Sequence, residues 1–236
     1  EKLNIKRKVV KSKVAVITMD THLSSAAERA RASLIKDIPG LEIEMHAASE
    51  YCSDKDKLNE CIAAIKESNL IIVSMLFVED HFNPIIKFLE ERRKKCDAMV
   101  CIMSATEVSR LTFMGRLDMS KPTSGALGFL KRLRGSKENK TSKGGESQMR
   151  MLRRLPKILR YLPGTAQDLR MYLLTLQYWL AGSEENIVGL VSNLVSKYSS
   201  GLDQKIKSKI LVNDPVEYPG IGVYHPKMKG RISKLA

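Results

Sequence analysis

The sequence has few cysteines, few aromatic residues and no long apolar run. Four cysteines in 236 residues, with no Cys-x-x-Cys pair among them, exclude a disulfide framework and argue against a zinc site. We expect reduced thiols in a cytosol-like compartment. No apolar stretch reaches about 18 residues, so we expect no transmembrane segment, and we find no signal peptide pattern. The chain begins at Glu1 rather than Met, which we interpret as a piece of a longer protein.

Nucleotide-binding and hydrolase motifs are also absent. The turn after the first predicted strand has no glycine and includes Asp20, which disfavours a dinucleotide phosphate there. There is no P-loop, no Gly-x-Ser-x-Gly nucleophile elbow and no His-Glu-x-x-His zinc motif. We therefore expect that this chain does not hydrolyse ATP by itself. The pattern identifies no catalytic residue and leaves any metal site unknown.

What the sequence has in excess is positive charge. Forty Lys and Arg residues against 26 Asp and Glu give a formal net charge of +14, which favours anionic partners. Residues 115–170 hold fourteen of these basic residues and only four acidic ones. Residues 131–145 are also rich in Gly, Ser and Thr, a composition typical of a solvated, mobile loop.

The first half alternates predicted strands and helices, with strands at residues 14–19, 41–45, 70–77 and 98–103. The second strand alternates apolar residues with glutamates, which is typical of a sheet edge. Ser25 and Ser104 each precede a glutamate by three residues, a capping-box spacing that predicts helix starts. Pro84 is expected in the first or second turn of the third helix, where it is tolerated if that helix starts near Asn83. Four such units in series predict a flavodoxin-like, doubly wound parallel sheet of the α/β class with strand order 2-1-3-4.

The second half is predicted to be a helical segment that ends in an extended C-terminal connector. A basic amphipathic helix is expected at residues 148–161, with Ile158 and Leu162 on its apolar face. Thr165 and Ser183 are predicted to cap the next two helices. We divide the chain into four parts. Residues 13–112 form a parallel α/β domain and residues 113–146 a basic mobile loop. Residues 147–200 form a helical segment, and residues 201–236 a connector toward a following domain.

Polar side chains follow the first and third predicted strands, which are neighbours in the order 2-1-3-4. At such a switch point α/β sheets usually open a crevice. Clustered carboxylates and imidazoles there could bind a divalent cation or relay protons. The simpler alternative is that the carboxylates cap helices and the histidines lie at the rim. The candidate residues are Asp20, His22, Glu79, Asp80 and His81.

The basic helix is a second candidate site, for an anion or a partner protein. Nucleic acid is disfavoured as a partner because the basic region has few aromatic side chains on which bases could stack. The remaining alternatives are a cationic face that docks a protein and a face that is merely solvated. The candidate residues are Arg150, Arg153, Arg154, Lys157 and Arg160.

Several long strings resemble the N-terminal region of the large, porphyrin-binding subunit of magnesium chelatases. The likeness runs from about Lys13 to Arg231 and is closer to the bacteriochlorophyll-pathway form than to the plant form. The strings that carry it are Leu76–His81, Arg110–Thr112, Met151–Gly164, Ala166–Asp168, Leu176–Asn186 and Asp214–Tyr218.

The resemblance implies one module of an enzyme of chlorophyll or bacteriochlorophyll biosynthesis, a pathway of photosynthesis. That enzyme inserts Mg²⁺ into protoporphyrin IX, and ATP is hydrolysed by two smaller subunits of the motor type. The implied partners are the remainder of the large subunit, the two smaller subunits and protoporphyrin IX, whose propionates basic residues could pair with. The fragment alone is expected to be non-catalytic and to hold no cofactor. The implied location is a bacterial cytoplasm, or a plastid stroma in a plant or alga. The rival interpretation is a stand-alone, non-catalytic flavodoxin-like binding or regulatory module with a cationic docking face.

Overall fold

The computed structural model describes residues 12–21, 24–121 and 154–216. Its centre is a six-stranded sheet in the order β2-β1-β3-β4-β5-β6. The first four strands are parallel, and β4, β5 and β6 pair antiparallel. The strands are β1 (Ser12–Thr18), β2 (Leu41–Ala47), β3 (Leu70–Ser74), β4 (Ala98–Ile102), β5 (Phe113–Met114) and β6 (Leu117–Asp118).

Helices cover both faces of the sheet. Within the described ranges, no helix is both long and apolar enough to span a bilayer. Residues 154–159 are helical as well. The other helices are α1 (Ser24–Asp37), α2 (Ala48–Tyr51), α3 (Lys55–Glu67), α4 (Glu79–Arg92), α5 (Thr106–Ser109), α6 (Thr165–Ala181), α7 (Glu184–Tyr198) and α8 (Gln204–Lys207).

Alternate residues of β1, β3 and β4 enter two separate cores. Val16 and Ile72 pack under α1, α6 and α7, whereas Ile71 and Val73 pack under α3 and α4. All five residues of β3 are buried, because this central strand is covered on both faces. β2 is half-exposed at the sheet edge. These features confirm the predicted doubly wound, flavodoxin-like α/β fold and its strand order.

A β-hairpin, residues 113–118, extends the sheet beyond β4. The sequence pattern places these residues at the start of the basic loop, since two-residue strands are too short to show an alternating pattern. Residues 122–153, which include the rest of that loop, lie outside the described part of the chain, as do residues 217–236 of the predicted connector.

Three predicted N-caps are wrong. Ser25 lies inside α1, which already begins at Ser24. Thr165 is the first residue of α6, whose N-cap is Gly164 with a φ of 74°. The Ser104 hydroxyl instead accepts a hydrogen bond from the backbone N–H of Leu76 at 3.1 Å. Capping-box spacing names a candidate hydroxyl, but the chain direction entering the helix decides which residue takes the cap position.

The start of α4 is earlier than Asn83, since the helix begins at Glu79. Pro84 lies in its second turn, one of the two turns predicted for it. By contrast, the predicted cap at Ser183 is confirmed, because its hydroxyl accepts a hydrogen bond from the Asn186 N–H at 3.3 Å. Glu184 then lies in the first turn of α7, where a negative charge favours the helix dipole.

Candidate functional site

Three of the five predicted docking cations lie in the described ranges, and all three are exposed: Arg154, Lys157 and Arg160. Arg150 and Arg153 lie outside the described residues. Leu155 and Leu159 form the buried side of this helical stretch, at 5% and 6% exposure. The amphipathic pattern therefore orients the cations toward solvent, as predicted.

Three large apolar side chains are exposed beside these cations. Ile158 is 60% exposed, Tyr161 is 84% exposed and Leu162 is 49% exposed. The prediction that Ile158 and Leu162 face the core is wrong, because Leu155 and Leu159 occupy the side of the helix that meets it. Exposed apolar groups ringed by polar ones are typical of interaction sites. We call this set of six residues the docking patch: Arg154, Lys157, Ile158, Arg160, Tyr161 and Leu162.

The amide of Gln167 holds the docking patch in place. Its Nε2 donates to the carbonyls of Leu159 at 2.8 Å, Arg160 at 3.1 Å and Leu162. The Arg170 Nε donates to the carbonyl of Pro156 at 3.0 Å. The first turns of α6 therefore satisfy the free carbonyls at the end of the basic helix, which would otherwise need water. The patch is a preformed surface.

A buried carboxylate joins this region to the sheet. Asp168 is 7% exposed and accepts hydrogen bonds from the Arg116 N–H at 2.9 Å and the Tyr198 hydroxyl at 2.7 Å. The Lys197 Nζ lies 3.1 Å away. Burial, together with this carboxylate, raises the pKa of Tyr198. Sequence reasoning named Asp168 only within a string that carries the family resemblance, and it missed that this carboxylate links the hairpin, α6 and α7.

A buried ion pair holds the other side of the hairpin. The Arg93 guanidinium donates to the Asp118 carboxylate and to the carbonyls of Leu111 at 2.9 Å and Thr112 at 3.3 Å. Burial alone would raise the pKa of Asp118, but hydrogen bonds from Ser120 and Arg93 outweigh it and lower the pKa to about 2. The hairpin is thus fixed from both sides.

The predicted crevice lies where β1 and β3 end side by side, with α1 and α4 on opposite faces of the sheet. Asp20 is half-buried there, whereas Glu79 and Asp80 are exposed in the first turn of α4. The N-cap of α4 is Val78, so the alternative that these two carboxylates cap the helix is wrong. His22 lies outside the described residues.

Several polar atoms near this crevice lack hydrogen-bond partners among the described residues. They are the Nδ1 of half-buried His81 and the hydroxyls of Thr18 and Ser74, which end the adjacent strands β1 and β3. The His81 carbonyl accepts a hydrogen bond from the Tyr51 hydroxyl at 2.6 Å. Over the ranges that the structure describes, no three His, Cys, Asp or Glu side chains come together as a metal site. The ligand role of the crevice remains a prediction.

Two cavities lie away from the docking patch. A small apolar cavity of about 20 Å³ lies between the sheet, α1 and α7. Its lining includes Val16, Ile72 and Trp179. An open cavity of about 410 Å³ lies beside edge strand β2, where burial lowers the pKa of His46 despite the nearby Glu44 carboxylate. Small-molecule sites are usually concave. Neither cavity is lined by a docking-patch residue.

One protein family and several named proteins are similar to this chain over most of its length. A family described as "Domain of unknown function (DUF3479)" matches residues 13–173. The magnesium-chelatase H subunit of Cereibacter sphaeroides is 42% identical over 221 residues, and the protein of that name in Rhodobacter capsulatus is 40% identical over 220. Both alignments cover 93% of this chain. The chloroplastic magnesium-chelatase subunit ChlH of Oryza sativa is 30% identical over 226 residues and 94% of this chain.

The chain spans 18% of the length of the two bacterial relatives and 16% of the chloroplastic one. The strings that suggested the resemblance therefore lie within an alignment that covers almost the whole chain, and the resemblance is confirmed. The chain belongs to the DUF3479 domain family, and it is similar over nearly all of its length to the N-terminal segment of the magnesium-chelatase H subunit.

Proposed function

We propose that this chain is the N-terminal module of the porphyrin-binding subunit of a magnesium chelatase. The complete enzyme would be an ATP-dependent ligase that inserts Mg²⁺ into protoporphyrin IX for chlorophyll or bacteriochlorophyll synthesis. The similarity to the bacterial relatives over 93% of the chain supports this proposal. In this proposal ATP hydrolysis belongs to two partner subunits of the motor type, and the segment itself contains no P-loop. We propose a bacterial cytoplasm as the location, with a plastid stroma as the alternative in a plant or alga. Two bacterial relatives at 40–42% identity, against 30% for the chloroplastic one, favour the former.

Within that enzyme, the docking patch binds a partner protein. The observation that carries this role is Tyr161, which is 84% exposed next to Arg160 on a turn whose carbonyls accept hydrogen bonds from Gln167. Tyrosine and arginine are enriched among the residues that contribute most binding energy at protein interfaces. Because the turn is preformed, binding costs little additional ordering of the chain.

The chemistry of the patch also suggests the kind of partner surface. Burying each apolar side chain of the patch would contribute about 1.5–3 kcal/mol before the costs of association. The surrounding cations favour a partner surface with carboxylates and raise the rate of encounter. This proposal selects the cationic protein-docking alternative over a merely solvated face.

A second candidate role for the same patch is contact with protoporphyrin IX. It is favoured by the exposed arginines Arg154 and Arg160, which could pair with the two propionates. None of the patch residues lines either of the two cavities described above, which supports the protein partner instead.

Magnesium insertion by the reconstituted enzyme, with the full-length large subunit, separates the two roles. The variant Tyr161→Ala is expected to raise the concentration of smaller subunits needed for half-maximal rate by about tenfold or more, while the protoporphyrin Kd measured by fluorescence stays unchanged. Ile35→Ala is the matched control, since Ile35 is a 40% exposed apolar residue on α1. A raised protoporphyrin Kd with unchanged subunit dependence would replace docking by porphyrin contact. No change in either quantity would refute both roles.

A further inference from the structure

Residues 211–216, which we call the strap, have no regular secondary structure, yet buried side chains fix their backbone. Asn186 is fully buried, and its amide pairs with both backbone groups of Val216. The Val216 N–H donates to Asn186 Oδ1 at 2.9 Å, and Asn186 Nδ2 donates to the Val216 carbonyl at 3.2 Å. This two-way pairing fixes the direction of the chain as a neighbouring β-strand would.

A second anchor lies near the middle of the strap. The Tyr178 hydroxyl donates to the carbonyl of Asn213 and accepts a hydrogen bond from Asn193 Nδ2 at 2.7 Å. Tyr178 is 1% exposed and lies against Gly189, where a Cβ atom would come within 2.6 Å of the ring. Three buried polar side chains on α6 and α7 thus serve to hold an irregular segment.

Three apolar side chains of the strap are exposed, beside the exposed polar side chains of Asn213 and Asp214. Leu211 is 83% exposed, Val212 is 46% exposed and Val216 is 38% exposed. Holding an irregular segment in one conformation costs conformational entropy. Leu211 recovers little of that cost because it is mostly exposed, and Val212 and Val216 recover only part of it because they are half-buried. An ordered segment with exposed apolar groups is typical of a surface that another part of an assembly covers.

We propose that the strap is the contact by which this module is fixed to the portion of the same subunit that follows it. The inference rests on the proposed function, in which the chain is one module of a longer subunit, and on the alignments, which cover 18% of the bacterial relatives' length. The strap is also the last described stretch before that following portion. Interfaces that persist within one assembly are more apolar than transient ones. The apolar strap fits this intramolecular contact, whereas the cationic docking patch fits a separate partner.

Photo-crosslinking in the full-length subunit tests the occupant of this surface. Leu211 is replaced by p-benzoylphenylalanine, and crosslinked peptides are identified by mass spectrometry. We expect crosslinks to residues beyond 236 of the same subunit. The same replacement at Ile35, which is 40% exposed on α1, is the control and should give no crosslinks to those peptides. Crosslinks from position 211 to a different chain, or only to residues before 237, would overturn the proposal.

A second measurement concerns the energetic role of the strap. Leu211→Asp combined with Val212→Asp places two charges on an apolar contact without altering any anchor. We expect about tenfold faster proteolytic cleavage within the strap of the full-length subunit, because release of the contact exposes the strap backbone. Unchanged cleavage would refute the contact. A negative result in these two experiments would not change how magnesium insertion depends on the smaller subunits. Failure of the strap contact is therefore distinguishable from failure of the proposed function.

Discussion

Replacement of Asp168 tests whether one buried carboxylate connects the hairpin to the helical half of the protein. Asp168→Ala removes the acceptor for the Arg116 N–H and for the Tyr198 hydroxyl. It also removes the anion beside Lys197. Since the aspartate is only 7% exposed, water cannot readily replace the lost carboxylate.

The magnitude follows from those contacts. A fully buried donor left without an acceptor costs about 1–3 kcal/mol, and these two donors are partly buried. The Lys197 side chain is 32% exposed, so solvent screens its ion pair and its loss adds little. We expect Asp168→Ala to lower the free energy of unfolding by about 2–4 kcal/mol. For a protein of this size that corresponds to a fall in Tm of about 10 °C.

Urea and thermal unfolding followed by circular dichroism measure this loss. Asp168→Asn is expected to lower the free energy of unfolding by about half as much, because the asparagine amide keeps one of the two acceptor oxygens. The control is Asp56→Ala, an exposed aspartate in the first turn of α3, with an expected loss of about 0.3–1 kcal/mol. If Asp168→Ala costs no more than Asp56→Ala, the role of this carboxylate as a structural link is refuted.

Two further predictions concern other buried contacts. The pKa of Asp118 is lowered to about 2, so its stabilising contribution is complete above the unfolded pKa of about 3.9 and is lost as the pH falls toward 2. Between those pH values the free energy of unfolding should therefore change by about 2–3 kcal/mol less in Asp118→Asn than in the unaltered protein. An unchanged pH profile would contradict the ion-pair account. Gly189→Ala should lower stability by about 1–2 kcal/mol, because a Cβ atom 2.6 Å from the buried Tyr178 ring costs more than the improved helix propensity returns. Tyr178→Leu in the same chain should relieve that clash, and a higher Tm for Gly189→Ala alone would show that the ring yields freely.

The strands were predictable because burial on two faces leaves a local signature. β3 is five residues long and entirely buried, and the apolar run from Leu70 onward shows this directly. The edge position of β2 was equally visible in the alternation of Leu41 and Ile43 with glutamates. The hairpin had no such signature, because its two-residue strands are stabilised by Arg93 and Asp168, which lie far away in the sequence.

The basic face shows where sequence reasoning stops. Helical periodicity correctly placed Arg154, Lys157 and Arg160 in solvent but wrongly placed Ile158 and Leu162 in the core. An apolar stripe wider than the surface available to cover it leaves some side chains exposed, and only the packed neighbours define that surface. The same limit applies to the strap, where no local pattern distinguishes a free linker from a segment held by buried amides.

The order of residues by itself determined the α/β class, the strand order, the direction of the basic side chains and the absence of a nucleotide-binding loop. Each depends on periodicity or on a motif contained in one short stretch of chain. Only the tertiary structure decided that Asp168, Asn186 and Tyr178 hold distant backbone groups, and that Tyr161 and Leu211 lie exposed. Those outcomes depend on which helices and strands lie side by side. Residues distant in sequence become neighbours only in the folded chain, and only then is it decided which side chains are covered and which stay exposed.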